Sequence, residues 1–269
     1  MIKMVAIDLD GTLLNDSGKI NELNKIQIRE QTQNGKKIVI CTGRAYTAAK
    51  QYYNELEIET PIVVCNGAMG YFPKKKLKIW EKNISIKIVE EIIKYLENRS
   101  YDYQIYTDEE IYVKKNSVLA LKWERENRKL KGDNIIKLNY FENYKKIIRD
   151  DISVLKILVY EQNISKQNRL KVYLKNKEVF CVNSQGKYVD IMALGVSKGN
   201  GLEKLINYFE FDKDNTMVIG DQDNDISMFE NANISVAVSN AKREIKKKAT
   251  WIVPSNNNSG VAYALRRIL

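Results

Sequence analysis

Asp8-Leu9-Asp10-Gly11-Thr12-Leu13-Leu14 follows directly on Met4-Val5-Ala6-Ile7, four apolar residues without a polar break. Such a run reads as a strand buried on both faces of a parallel sheet, so the fold class expected is α/β. Two carboxylates stand where the strand ends, and Gly11 lets the chain turn away. In open α/β sheets, ligands bind outside the carboxyl ends of the strands. Asp8 and Asp10, two apart on an extended chain, point to the same side. Like charges held that close need a cation or a shared proton, and Mg²⁺, which prefers hard oxygen ligands, is the first candidate. A lone D-x-D at a strand end is common; the full heptad after an apolar strand is far more specific.

The same grammar recurs along the chain. Ile38-Val39-Ile40-Cys41 precedes Thr42-Gly43-Arg44, and Ile62-Val63-Val64-Cys65 precedes Asn66-Gly67-Ala68. Near the other end, Met217-Val218-Ile219-Gly220 precedes Asp221, Val236-Ala237-Val238 precedes Ser239-Asn240, and Trp251-Ile252-Val253 precedes Pro254. Helices are expected between these runs. One covers 21–34, with Leu23, Ile26 and Ile28 apolar and Asn34-Gly35 as its stop. Another carries Tyr46, Ala49 and Tyr53, and a last one begins near Gly260. Apolar tetrad, polar turn, helix: that alternation builds a parallel sheet with helical crossovers.

The middle of the chain reads differently. Tyr71 to Trp80, with Pro73, resembles a hairpin, and 84–98 an amphipathic helix with Ile88, Ile92, Tyr95 and Leu96 on one face. Strands are expected at Tyr101 to Tyr106, Ile111 to Val113, Val154 to Tyr160 and Val179 to Val182, with helices at 116–129 and 165–176. Asp108-Glu109-Glu110 reads as a hairpin turn. This antiparallel α+β segment, 83–187, is expected to be a second domain inserted into a Rossmann-like core formed by 1–82 and 188–269.

Composition narrows the function classes. The net charge is +10, but the lysines are scattered, and the runs Lys74-Lys75-Lys76 and Lys246-Lys247-Lys248 read as solvated faces, so no nucleic-acid role is expected. No apolar run approaches ~20 residues and no signal-peptide pattern is present, so no membrane role is expected. Cys41, Cys65 and Cys181 have no metal or redox spacing, which suits a cytoplasmic protein. The absence of histidine leaves acid–base work to carboxylates.

Several residues suit phosphoryl transfer. Asp8 can act as nucleophile and Asp10 as general acid and then base. Thr42, after a strand and before Gly43, can hold a phosphoryl oxygen or can simply cap a helix. Arg44 is a further phosphate candidate. Lys198 follows Ser197, an N-cap, in a helix with Leu202, Leu205, Ile206 and Phe209 on its apolar face. A cation in a first helical turn opposes the dipole unless an anion is fixed beside it. Asp221, Asp223 and Asp225 crowd a strand end with Asn224 among them, which calls for a cation or for solvent; Asp223 is expected to face solvent. An EF-hand lacks its spaced bidentate Glu here. Asn66 suits a turn or a substrate-facing amide.

In their order along the chain, Asp8-Leu9-Asp10-Gly11-Thr12, Cys41-Thr42-Gly43-Arg44, Asn66-Gly67-Ala68, Ser197-Lys198-Gly199 and Gly220-Asp221-Gln222-Asp223-Asn224-Asp225 resemble the haloacid dehalogenase superfamily, and within it the Cof-like sugar-phosphatase group. The resemblance implies a Mg²⁺-dependent phosphatase acting on small phosphorylated metabolites through an aspartyl phosphate on Asp8. It implies Mg²⁺ held by Asp8, Asp221 and the Asp10 carbonyl, and a phosphoryl group held by Leu9, Thr42, Gly43 and Asn224. Lys198 would neutralise the nucleophile and the phosphoryl group, with Asp225, Arg44 and Asn66 in support, and the inserted segment would be the cap that selects the leaving group. A monomer or weak homodimer is expected. The alternatives are a phosphomutase of the same fold, or a non-catalytic phosphate-binding module, which would have eroded at least one of these motifs.

Overall fold

The computed structural model describes residues 1–148, 152–184 and 186–268. In chain order the first strands are β1 (Met4–Ile7), β2 (Lys37–Ile40), β3 (Ile62–Val64), β4 (Met69–Phe72) and β5 (Leu77–Glu81). Then come β6 (Asp102–Tyr106), β7 (Ile111–Lys114), β8 (Leu138–Phe141), β9 (Lys156–Tyr160), β10 (Val179–Ser184) and β11 (Tyr188–Ala193). The last are β12 (Thr216–Gly220), β13 (Ile234–Val238) and β14 (Trp251–Val253). The α-helices are α1 (Glu22–Gln33), α2 (Tyr46–Leu56), α3 (Ile86–Glu97), α4 (Val118–Asn127) and α5 (Ile164–Leu174), followed by α6 (Lys198–Tyr208), α7 (Ile226–Phe229), α8 (Arg243–Lys248) and α9 (Gly260–Arg266). No helix among the described residues is long and apolar enough to cross a membrane.

Two compact units emerge: Met1–Arg44 with Gln51–Trp80 and Ser197–Leu269, and Ala45–Lys50 with Glu81–Val196. In the first, β14-β13-β12-β1-β2 form one parallel sheet. β1, β12 and most of β2 and β13 are buried without alternation, as a sheet covered on both faces requires. Its register sets up the site. Ile7 pairs with both Ile40 and Ile219, so the chain leaves three neighbouring strands at one level. Asp8, Cys41-Thr42 and Gly220-Asp221 therefore meet at one edge.

Two expectations for this unit need correction. The third tetrad does not extend the parallel sheet: β3 pairs antiparallel with β4 in a three-stranded sheet, β3-β4-β5. Its link to the main sheet is a single parallel bridge, Cys41 to Val63. The tight turn at 65–67 returns the chain along β3 before a crossover can form. The helix α1 also buries an unexpected face. Asn24, Gln27, Ile28 and Gln31 are buried, whereas Ile26 is 48 % exposed. Asn24 Oδ1 accepts from the Ala262 N–H of α9 at 2.9 Å, so a buried amide ties α1 to α9.

In the second unit the sheet order is β10-β11-β9-β6-β7-β8, antiparallel except for the parallel pair β7–β8. The short β8 and the long β11 were not anticipated as strands. Because β11 pairs with both β10 and β9, this unit reaches Val196 and not 187. The stripe buried by α3 is Val89, Ile92, Ile93 and Leu96; Ile88 and Tyr95 are only half-buried. An ion pair lies within this unit, Lys156 to Asp190 at 2.9 Å, both side chains almost fully buried.

Candidate active site

All of the chemistry-bearing motifs come together in the first unit. Asp8 directly follows β1, its backbone N–H donating to Ile219 O at 3.0 Å, and its side chain is buried. After it the chain turns sharply at Gly11, where φ is +82° and a Cβ would stand 2.5 Å from Asp221 Oδ2. Only glycine meets both demands without strain. Asn240 Nδ2 ties this turn down by donating to Gly11 O at 2.7 Å.

Lys198 opens α6, capped by Ser197, whose hydroxyl accepts from Asn200 N. Its Nζ lies 2.5 Å from Asp8 Oδ1 and 2.7 Å from Asp225 Oδ1. The anion that a cation in a first turn demands is therefore present twice. Asp225 Oδ2 accepts from the backbone N–H groups of Asp221 and Gln222, both at 2.9 Å. Both Asp225 oxygens are thus engaged, one by Lys198 and the other by the turn after β12.

Asp221 follows β12 directly. Its Oδ1 accepts from Thr12 Oγ1 at 2.9 Å and its Oδ2 from Gln222 Nε2 at 2.8 Å. Thr12 and Gln222 were not singled out in the sequence; Thr12 lay inside the first motif, but nothing local marks either as a partner of Asp221. Asp223, in contrast, pairs with Lys242 on an exposed surface, as expected of a solvent-facing residue.

Asp8, Asp221 and Asp225 bring carboxylate oxygens within 4.8 Å of one another. Burial raises the Asp8 pKa well above its ordinary value; Lys198 opposes the rise, and Asp225, Asp221 and Asp10 add to it. Asp221 is pushed up to about 6 by burial and then by the Asp225 charge. Burial opposes the Lys198 ammonium, yet Asp225 and Asp8 hold its pKa above the usual lysine range. One ammonium thus faces three buried carboxylates. Such convergent hard oxygen donors fit a divalent cation.

Thr42 lies in the turn after β2, fully buried, and its Oγ1 accepts from Arg44 N at 3.1 Å. It precedes the first residue of α2 by four positions and does not cap that helix. Gly43 is next to it, and Asn66 is hydrogen-bonded through its backbone N–H to Thr42 O at 3.0 Å. Asn66 adopts a left-handed conformation (φ 57°, ψ 30°) and accepts through Oδ1 from Asn224 Nδ2 at 3.0 Å. The turn that holds it needs Gly67, at φ +99°, whose missing Cβ would collide with Ser197 O. Leu9 packs fully buried behind the loop, its carbonyl accepting from the N–H groups of Thr12, Leu13 and Leu14. Arg44 binds the Asp10 carboxylate with two hydrogen bonds, at 2.8 and 2.6 Å. The buried thiol of Cys41 is pushed up to about 12 chiefly by burial, so it stays protonated beside this site.

A family profile described as haloacid dehalogenase-like hydrolase matches residues 5–265. The chain is 28% identical to the 5-amino-6-(5-phospho-D-ribitylamino)uracil phosphatase YwtE of Bacillus subtilis, over 100% of this chain and 98% of that protein. It is 31% identical to a putative phosphatase of Buchnera aphidicola, over 100% and 98%. A haloacid dehalogenase-like hydrolase structure from B. subtilis superposes over 100% of both chains with a TM-score of 0.88 at 26% identity. Matched along nearly its whole length, this chain belongs to the haloacid dehalogenase-like hydrolase family and is a phosphatase-type member of it.

Proposed function

We propose that this enzyme is a Mg²⁺-dependent phosphatase that hydrolyses small phosphate monoesters through an aspartyl phosphate on Asp8. The observation that carries the reading is the pairing of a buried strand-end carboxylate, Asp8, with Lys198 at 2.5 Å beside Asp221. Asp8 and Asp221, with the backbone carbonyl of Asp10, would hold the cation, which when bound would supply positive charge that offsets the charge of the phosphoryl group.

An Asp8 carboxylate oxygen attacks phosphorus; the new O–P bond forms as the ester P–O bond breaks. Asp10 gives its proton to the departing oxygen, so an alcohol leaves. Water then attacks phosphorus, Asp10 takes back a proton, and the Asp8–phosphorus bond breaks to release inorganic phosphate. Lys198 favours the ionised form of Asp8 against its burial and offsets the charge that gathers on the phosphoryl oxygens. Thr42, Gly43, the Leu9 N–H and Asn224 would orient those oxygens. Asn224 Oδ1 is buried and finds no hydrogen-bond partner among the described residues. Turning the amides of Asn224 and Asn66 over together keeps their mutual bond and leaves an N–H in that place, which suits a phosphoryl oxygen.

The second unit carries none of these motifs, and we assign it the choice of leaving group. Several relatives are named for a phosphoribitylamino-uracil, so polyol and sugar phosphates head the candidate substrates. A phosphate-release screen over sugar, polyol and nucleotide monoesters, with and without Mg²⁺, tests the reading. Mg²⁺-dependent release together with an acid-quenched acyl phosphate supports it; release unaffected by a chelator and by Asp8→Asn overturns it.

A further inference from the structure

Arg44 grips Asp10 by both oxygens. Its Nε donates to Oδ2 at 2.8 Å and a terminal N–H donates to Oδ1 at 2.6 Å. A planar fork on a carboxylate fixes both its position and its plane, which a single ammonium cannot do. Arg44 is itself held firmly. Its backbone N–H donates to Thr42 Oγ1 at 3.1 Å, and its carbonyl accepts from Cys65 N at 2.8 Å. The guanidinium carbon lies 5.1 Å from the centre of the Tyr52 ring, and the Tyr52 hydroxyl donates to Gly18 O at 3.2 Å. Arg44 is thus anchored in the turns after β2 and β3 and reaches across to the turn after β1. Burial disfavours its charge, yet Asp10 beside it holds its pKa above the usual range.

We propose that Arg44 is the positioning residue for Asp10 in proton transfer, and not a ligand of the phosphoryl group. The proposal rests on the phosphatase reading above and assigns Arg44 to one step of it. Held by the fork, the Asp10 carboxyl keeps one place and one plane while its proton passes to the leaving oxygen and while the attacking water returns one to it. Arg44 therefore contributes in proportion to the leaving group's need for a proton. An alkyl phosphate expels a strongly basic alkoxide and needs it; p-nitrophenyl phosphate expels a stable phenolate and does not.

The test uses Arg44→Gln and Arg44→Lys in the full chain with Mg²⁺. Phospho-enzyme formation is followed by rapid quench, with p-nitrophenyl phosphate and with an alkyl ester that the wild-type protein turns over. Arg44→Gln is expected to slow phosphorylation by the alkyl ester about 100-fold, within the range for a lost general acid, and to slow it by less than about tenfold with the aryl ester. The loss falls on kcat, with KM little changed. Arg44→Lys keeps the charge without the fork and lies between. A normal p-nitrophenyl phosphate burst amplitude reports an intact site in each variant. Equal effects on the two esters, or a loss confined to KM, overturn the proposal, because a phosphate ligand or a purely structural residue would act on both alike. A wild-type protein that forms no phospho-enzyme from either ester overturns the phosphatase reading itself, and this proposal with it.

Discussion

Lys198 Nζ stands 2.5 Å from Asp8 Oδ1 with both side chains buried, 190 residues apart in sequence. A buried ion pair adds little net stability over a well-packed apolar pair, but breaking one strands the partner charge. Here the stranded charges would be two, Asp8 and Asp225. Lys198→Met is expected to lower unfolding free energy by about 3–5 kcal/mol, measured by urea denaturation at neutral pH in chelator. Asp8 can then relieve the charge by taking a proton, so the loss should shrink in acid. Unchanged stability would mean that the ammonium is not what neutralises these carboxylates.

Asp8→Asn separates catalysis from stability. Burial already disfavours the Asp8 carboxylate, so a neutral amide of the same shape should leave the melting temperature equal or higher in metal-free protein. Turnover and the acyl phosphate should both vanish. Asp10→Asn should retain slow phosphorylation by p-nitrophenyl phosphate and accumulate phospho-enzyme, since only its proton transfers are lost. Rapid-quench and melting measurements on the two variants check both outcomes.

Removing metal exposes the acidic cluster to its own repulsion. In the metal-free protein Asp221 is pushed up to about 6, above its value in an unfolded chain. The folded state then binds more protons than the unfolded state across the window between the two values, so stability falls as pH rises through it. Above that window the deficit persists. Melting temperature in chelator should therefore drop between about pH 4 and pH 7 as far as this group is concerned. Mg²⁺ should raise it more at neutral pH than in acid, since protonated carboxylates do not bind the ion. Equal Mg²⁺ effects at the two pH values would argue against these ligands.

Asn66 tests the turn after β3 in two ways. Its left-handed backbone is strain-free for glycine but costs alanine about 1 kcal/mol. Asn66→Gly should therefore fold about as stably as the wild type, and Asn66→Ala less so, by thermal denaturation. Both variants lose the partner of Asn224, so both should raise KM for phosphate esters by similar factors. A KM change in Asn66→Ala alone would point to backbone strain instead of amide orientation.

The chain's sequence was enough to locate β1, β2, β12, β13 and β14, because buried parallel strands are unbroken apolar runs and the turns after them carry small or acidic residues. It also marked Asp8, Lys198, Asp221 and Asp225, whose charges sit where local chemistry disfavours them: at strand ends beside like charges, or in a first helical turn. Local patterns stop at the choice of partner. The Cys41–Val63 bridge and the antiparallel turn of β3 depend on which edge the strand meets, and an apolar tetrad reads the same in either direction. The buried amides of α1 read as surface residues until α9, more than 200 residues later, covers them. Arg44 shows the limit most plainly. Beside Thr42 it reads as a phosphate ligand, and only the register of β2 against β1 places its guanidinium across from Asp10. Hydrophobic period and turn chemistry act over a few residues. Strand register and hydrogen-bond pairing are settled by the packing of the whole core, so the contacts that tune this site were decided by tertiary structure alone.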